Sequence, residues 1–355
     1  MAFKKDELIF LLGAGASVEA GIPASCGMIS ELENLLNTNN DWKDYAPVYH
    51  FIKSSIIYAD GIQGKFEPFN FNIERLINTI DELLKSDEHP LFPFIGSWTP
   101  KLPEVSDNNF KKLSDFRKKI VIELRDHWVQ LEYEDNAAYY SGLSAFQEEY
   151  QYPLRIFTLN YDLCVEKACL ENGVERGFGE GRNWDWRIFD NEEEIQKNIF
   201  LYKLHGSIDW IRDDDSGFLT YKNSSIPPEK LEIIFGTTYK LQYIDPFLFF
   251  AYEFRKRILS DAKVLISIGY GFADEHINGI ISQALKGNPS RKLLVVSRSD
   301  DQKSELDQIK KTLDTRLDEN IVFSNTGAKQ FFKNNLNLSY ISNFFPEEEA
   351  PFDEL

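Results

Sequence analysis

Apolar residues along this chain fall into two rhythms. The first is the short unbroken run, as in Leu8-Ile9-Phe10-Leu11-Leu12, with comparable runs at 154–159, 199–204, 264–268, 292–296 and 321–323. A run of this length predicts a strand buried on both faces of a parallel sheet, because alternation vanishes when neither face meets water. Enough chain separates successive runs for a helix or loop crossover. The pattern therefore predicts an α/β fold with a doubly wound parallel sheet, in which ligands bind at the carboxyl ends of the strands.

The second rhythm is helical. Ile73, Leu76, Ile77, Ile80, Leu83 and Leu84 recur at that spacing, as do Phe116, Ile120, Ile122, Leu124, Trp128 and Leu131. Both series lie in the roughly 140 residues between the first two strand runs, where an α/β link usually takes about 2–6 residues on either side of a helix. A large helical insertion subdomain over about 40–150 follows, carried on a Rossmann-like sheet. Loop is expected within 90–109, and a hairpin where Trp210-Ile211-Arg212 and Phe218-Leu219-Thr220-Tyr221 flank a turn-rich Asp213-Asp214-Asp215-Ser216-Gly217. One domain is expected over 1–335, with 336–355 a C-terminal segment ending in a solvated acidic tail.

Charge narrows the partners. With 39 basic against 57 acidic residues the formal net charge is −18, and such a surface repels the phosphate backbone that supplies most nonspecific nucleic-acid affinity. No direct nucleic-acid binding is expected. A pyrophosphate is still compatible, since backbone N–H groups can hold it inside an acidic protein. The apolar runs fall far short of the roughly 20 residues of a membrane helix, and the N-terminus lacks the apolar region of a signal peptide, so the expected location is the cytoplasm. Cys26, Cys164 and Cys169 are too few for a disulfide framework or a four-cysteine zinc site.

Candidate chemistry begins at Gly13-Ala14-Gly15-Ala16-Ser17, just after the first strand run. Glycines there allow close approach of backbone to a phosphate, and a succeeding helix would aim its N–H groups inward. Val18 stands where the usual dinucleotide fingerprint has a third small residue, which argues against a dehydrogenase. Asn160 and Asp162 follow the second run; an amide can orient water without ionising and a carboxylate can accept an amide N–H, although both would also serve as caps of the helix holding Val165 and Ala168. His205 ends the third run, where an imidazole titrating near neutrality suits proton transfer, or is satisfied by a backbone carbonyl.

The spacing Gly-x-Gly-x-Ser-x-x-x-Gly-Ile-Pro over residues 13–23 resembles the first motif of the sirtuins. Thr158-Leu159-Asn160-Tyr161-Asp162, Leu204-His205-Gly206-Ser207 and Gly269-Tyr270-Gly271-Phe272-Ala273-Asp274-Glu275-His276-Ile277-Asn278 come in that family's order. The last is similar to a divergent, largely bacterial branch. The resemblance implies NAD as substrate. It assigns Asn160 and His205 to catalysis, Asp162 to the nicotinamide carboxamide, Gly13, Ala14, Gly15 and Ser17 to the nucleotide, Gly269, Tyr270 and Gly271 to its phosphates or adenosine ribose, and Ser297 to the adenosine ribose, with Arg298 beside it. Leu159 replaces the family's glutamine. Asp274 and His276 read as structural, Asp274 as a helix cap.

Sirtuin deacylases carry a zinc module with two Cys-x-x-Cys pairs, and this sequence has none, so no metal is expected and water becomes the acceptor. The resemblance then implies an NAD+ glycohydrolase, of the branch that depletes NAD in bacterial anti-phage defence. It also implies a homo-oligomer or a partner ATPase or Argonaute-like protein. Two alternatives stay open: a deacylase or ADP-ribosyltransferase using the same pocket, and a noncatalytic NAD- or ADP-ribose-binding subunit.

Overall fold

A computed structural model of the chain describes residues 3–64, 71–85, 101–107, 110–169, 173–179, 181–191, 197–222, 226–235, 245–314 and 319–346. The acidic tail and most of the 90–109 loop lie outside them.

Strands β1 (Leu8–Leu12), β2 (Leu154–Thr158), β3 (Val174–Glu175), β4 (Ile199–Lys203), β8 (Val264–Ile268), β9 (Lys292–Ser297) and β10 (Ile321–Asn325) form one sheet in the order β10-β9-β8-β1-β2-β4-β3. Every pairing in it is parallel. All six apolar runs are strands of this sheet. β5 (Gly206–Arg212), β6 (Leu219–Tyr221) and β7 (Leu231–Ile233) make a second, antiparallel sheet in the order β6-β5-β7, which contains the expected hairpin with Trp210 opposite Tyr221. The two-residue β3 and the strand β7 carry no apolar run long enough to announce them.

Alternate residues of β1 enter different cores. Leu8, Phe10 and Leu12 pack with Tyr140, Phe146 and Phe331 on one face, while Ile9 and Leu11 pack with Phe157, Phe250 and Phe254 on the other. Each face is thus covered, which is why the strand reads as an unbroken apolar run. Helix α7 (Phe247–Ser260) and helix α8 (Glu275–Gly287) cover the second face.

Between β1 and β2 the described elements are all helices. Helices α1 (Ser25–Thr38), α2 (Ala46–Ile62), α3 (Ile73–Leu84) and α4 (Lys111–Glu123) share a third core of Leu32, Tyr49, Ile52, Leu76, Ile77, Phe116 and Ile120, while α5 (Gly142–Tyr150) carries Phe146 into the first core. The third core also takes in Tyr161, Ile208 and Phe235 from the sheet side. The helical region therefore seats on the carboxyl ends of β2 and β4. At the opposite ends of the strands Asp6 is clamped between Arg155, at 2.7 Å, and Arg257, at 2.6 Å, and those charges are spent within the fold.

Candidate active site

One row of paired residues crosses the sheet: Val296, Ile268, Leu12, Thr158 and Lys203 are partners in register. The sequence motifs begin immediately past this row. Ser297, Gly269 and Gly13 are each one residue beyond it; Asn160 and His205 are each two beyond, after β2 and β4. The chain leaves β1 toward β2 on one side and returns through β8 on the other, which makes this a switch point of a doubly wound sheet, where ligands bind.

The glycine loop is built differently from the sequence expectation. No α-helix follows Gly15; two short 3₁₀ turns, Ala14–Ala16 and Val18–Ala20, lead to Gly21 in the left-handed region at φ 91°, and α1 starts only at Ser25. The helix expected directly after the glycine segment is thus delayed, because Gly21 and Pro23 interrupt the path. The glycines have a structural cause of their own. The Gly13 amide donates to the Ile268 carbonyl at 3.0 Å and the Gly15 amide to the Gly269 carbonyl at 2.9 Å. A Cβ on Gly13 would lie 2.6 Å from the Gly269 oxygen, and one on Gly269, itself at φ 63°, would lie 2.1 Å from the Ala16 nitrogen. Two loops cross here backbone to backbone, and a side chain fits on neither.

Ser17 is fully buried and turns inward. Its hydroxyl donates to Asp162 Oδ2 at 2.8 Å, meets the Tyr140 hydroxyl at 2.9 Å and accepts from Asn160 Nδ2 at 3.1 Å. The other Asp162 oxygen accepts from the Cys164 amide at 3.0 Å, at the start of helix α6 (Cys164–Ala168), so this residue braces the first turn although the N-cap position is Leu163. Asn160 Oδ1 is buried and has no protein partner. Burial, reinforced by the Asp162 charge, pushes the Tyr140 hydroxyl well above its ordinary range, so it stays a neutral hydrogen-bonding group. Tyr140 was not visible as a site residue in the sequence, because it lies 123 positions from Ser17 in the helical region.

A second layer holds this turn from below. Lys203, only 1% exposed, bonds the Asp162 carbonyl and sits 2.9 Å from Glu166 on α6. Arg176 reaches Asp209 at 2.8 Å and Glu166 at 3.5 Å. Two cations and two carboxylates, buried together, tie the Asn160–Asp162 turn to the strand that presents His205. Buried charges persist only when paired in this way.

His205 is 4% exposed, and its Nε2 lies 3.2 Å from Asp274 Oδ2. Asp274 caps α8 as the sequence suggests, with Oδ1 accepting from the amides of His276 at 3.0 Å and Ile277 at 3.3 Å. The contact with His205 is the part sequence reasoning missed. His205 Nδ1 is buried without a protein partner. The Tyr161 ring stands 6.4 Å from the imidazole, and the Tyr161 hydroxyl donates to the Ile234 carbonyl at 2.8 Å. Glu74, in the first turn of α3, faces that hydroxyl and bears on Tyr270. Tyr270 is directed into the protein, with its hydroxyl 2.8 Å from Asn278 Oδ1 and 3.2 Å from the Asp274 carbonyl.

Residues 154–317 match the family model described as a SIR2-like domain. That SIR2-like stretch runs from the first residue of β2 past β9 and includes Asn160, Asp162, His205, Asp274 and Ser297; the glycine loop precedes it. A solved chain described as "Structural Basis for the Mechanism and Regulation of Sir2 Enzymes" is similar over 93% of this chain and 90% of that one, at 13% identity and a TM-score of 0.42. No curated protein matches.

Of the residues singled out by sequence, Ser17, Asn160 and Asp162 form one hydrogen-bonded group, and Gly13, Gly15 and Gly269 form one backbone crossing. Ala14 and Ser297 are half-buried beside the row, and Gly271 has open space where a side chain would be. Arg298 is exposed and paired with Glu19 at 3.1 Å. Leu159 packs against the second core, its amide on the Leu12 carbonyl at 2.9 Å.

Proposed function

We propose that the protein is an NAD+ glycohydrolase, converting NAD+ and water to nicotinamide, ADP-ribose and a proton. The observation that carries this reading is the pair of buried polar atoms without protein partners, Asn160 Oδ1 and His205 Nδ1, at the carboxyl ends of paired strands β2 and β4. Of the buried side-chain atoms without a protein partner among the described residues, these two are the ones at the ligand-binding edge, where a bound molecule could satisfy them. The SIR2-like match over 154–317 supports NAD as the substrate.

In this reading Asn160 orients water or the nicotinamide ribose, Asp162 accepts from the carboxamide N–H, and His205 takes a proton from a ribose hydroxyl. The nicotinamide–ribose bond breaks with its electron pair going to the pyridine nitrogen, so the leaving group departs neutral while positive charge builds on the ribose. Water then adds to the anomeric carbon and loses a proton, and His205 returns the ribose hydroxyl's proton, so that one proton is released overall. Gly13, Ala14, Gly15, Gly269, Gly271 and Ser297 line the edge available to the rest of the dinucleotide, with Ser17 and Tyr270 acting through their protein partners. Water is favoured as acceptor over an acyl-lysine because the three cysteines cannot form the two pairs of the deacylase zinc module.

The test is release of nicotinamide from NAD+ by the purified chain. Asn160→Ala and His205→Ala are each expected to lower turnover by about 10²–10⁴-fold, the usual worth of a positioned proton-transfer group. Unchanged turnover in both variants would sink the reading, as would acyl-ADP-ribose or ADP-ribosylated protein as the product. The same proposal extends to NAD depletion in anti-phage defence, by an oligomer or with a partner protein. It expects cellular NAD to fall on phage infection with the native chain and to hold with Asn160→Ala.

A further inference from the structure

Asp274 does two things at once, and the combination fixes which nitrogen of His205 is available for chemistry. One oxygen, Oδ1, is taken by two amides at the start of α8, a helix of 13 residues. The other, Oδ2, lies 3.2 Å from His205 Nε2. Both residues are 4% exposed, so water does not compete for this contact. An ionised carboxylate only accepts hydrogen bonds. A neutral His205 must therefore carry its proton on Nε2, leaving the lone pair on Nδ1. That is the nitrogen with no protein partner.

We propose that Asp274 is a positioning residue that locks His205 in the Nε2–H tautomer, so that Nδ1 is the atom that accepts the proton from substrate. The tautomer follows from the hydrogen-bond geometry with an ionised Asp274; its catalytic consequence rests on the hydrolase reading. When Nδ1 takes a proton, the imidazolium that forms is stabilised by the buried carboxylate at Nε2. The helix amides keep that carboxylate from rotating away. Tyr161 and Tyr270, the neighbouring hydroxyl groups, are both held neutral by burial and engaged with the protein, so neither takes over the role.

Substitution at Asp274 separates the cap from the tautomer lock. Asn and Ser cap helices about as well as Asp. In Asp274→Asn the amide oxygen must serve the helix amides, which turns the NH₂ group toward Nε2. A donor there demands an acceptor, so the ring inverts to Nδ1–H and the working nitrogen is blocked. In Asp274→Ser the cap is kept but the side chain no longer reaches the ring, and the tautomer is left unbiased.

Two-bond ¹⁵N–¹H correlation on ¹⁵N-labelled protein, with the His205 resonances assigned by their loss in His205→Asn, reads the tautomer directly. The expected result is Nε2–H in the native chain, Nδ1–H in Asp274→Asn and a mixture in Asp274→Ser, all with similar melting temperatures. Turnover is expected to drop on the order of 10²-fold in Asp274→Asn, with KM little changed, and less in Asp274→Ser. Nδ1–H in the native chain overturns the proposal whatever the activity. So does an unaltered kcat in Asp274→Asn, since a cap alone predicts that outcome. If the native chain releases no nicotinamide, the hydrolase reading fails while the tautomer result still stands or falls by itself.

Discussion

Ser17 shows how one hydroxyl can organise a site without facing a ligand. It serves Asp162, Tyr140 and Asn160 together, and its replacement by alanine leaves each of these buried groups one hydrogen bond short. Leaving buried groups unsatisfied costs about 1–3 kcal/mol each, so Ser17→Ala is expected to lose a few kcal/mol in urea unfolding and to release the Asn160 side chain. A loss under about 0.5 kcal/mol, the range of ordinary surface changes, would show that the cluster carries no weight. The cysteines give a second check at this scale. Burial pushes the Cys169 thiol up to about 11 and Cys164 further still. The thiolate is the reactive form, so iodoacetamide at pH 8 is expected to leave both unmodified in the native chain. Cys26, exposed on α1 though also raised by partial burial, should be alkylated slowly, and all three should react after unfolding.

Elements differ in how far the sequence announces them. The parallel strands were legible because burial on both faces leaves an unbroken apolar run, and the hairpin because a turn-rich segment separates its arms. The path after Gly15 was not: Gly-x-Gly suggests a strand-to-helix turn, while Gly21 at φ 91° and Pro23 delay α1 to Ser25. Pairings between distant segments were equally silent. Asp274 reads as a cap from local spacing, but its contact with His205 spans 69 positions, and nothing in Lys203 announces a buried partner on α6. Removing that lysine tests the layer under the site. Lys203→Met strands Glu166 beside Arg176 alone, and breaking one partner of a buried pair costs about 3–5 kcal/mol. The melting temperature should fall and turnover with it; a melt matching the native chain would contradict the pairing.

Across the whole molecule, tyrosines link the helical region to the sheet. Tyr140 closes on Ser17, while Tyr161 joins the insertion core from the far side. Burial raises the hydroxyls of Tyr140, Tyr161 and Tyr270 well above their ordinary 10.0. The fold therefore favours the protonated form: their contribution is full below about pH 10, where the unfolded chain also keeps its protons, and is lost as the pH climbs beyond. Thermal unfolding from pH 8 to 11.5 should show stability falling past pH 10, more steeply than in Tyr140→Phe. A flat profile would contradict the burial of these hydroxyls.

The glycine crossing reaches beyond this chain. Gly13 and Gly15 look like a nucleotide signature, yet Gly269 supplies the steric reason for them from more than 250 positions away. Chains of this architecture should then vary at the three places together, and a fingerprint that joins the first loop to the glycine after β8 should separate true relatives from chance Gly-x-Gly turns better than the leading motif alone.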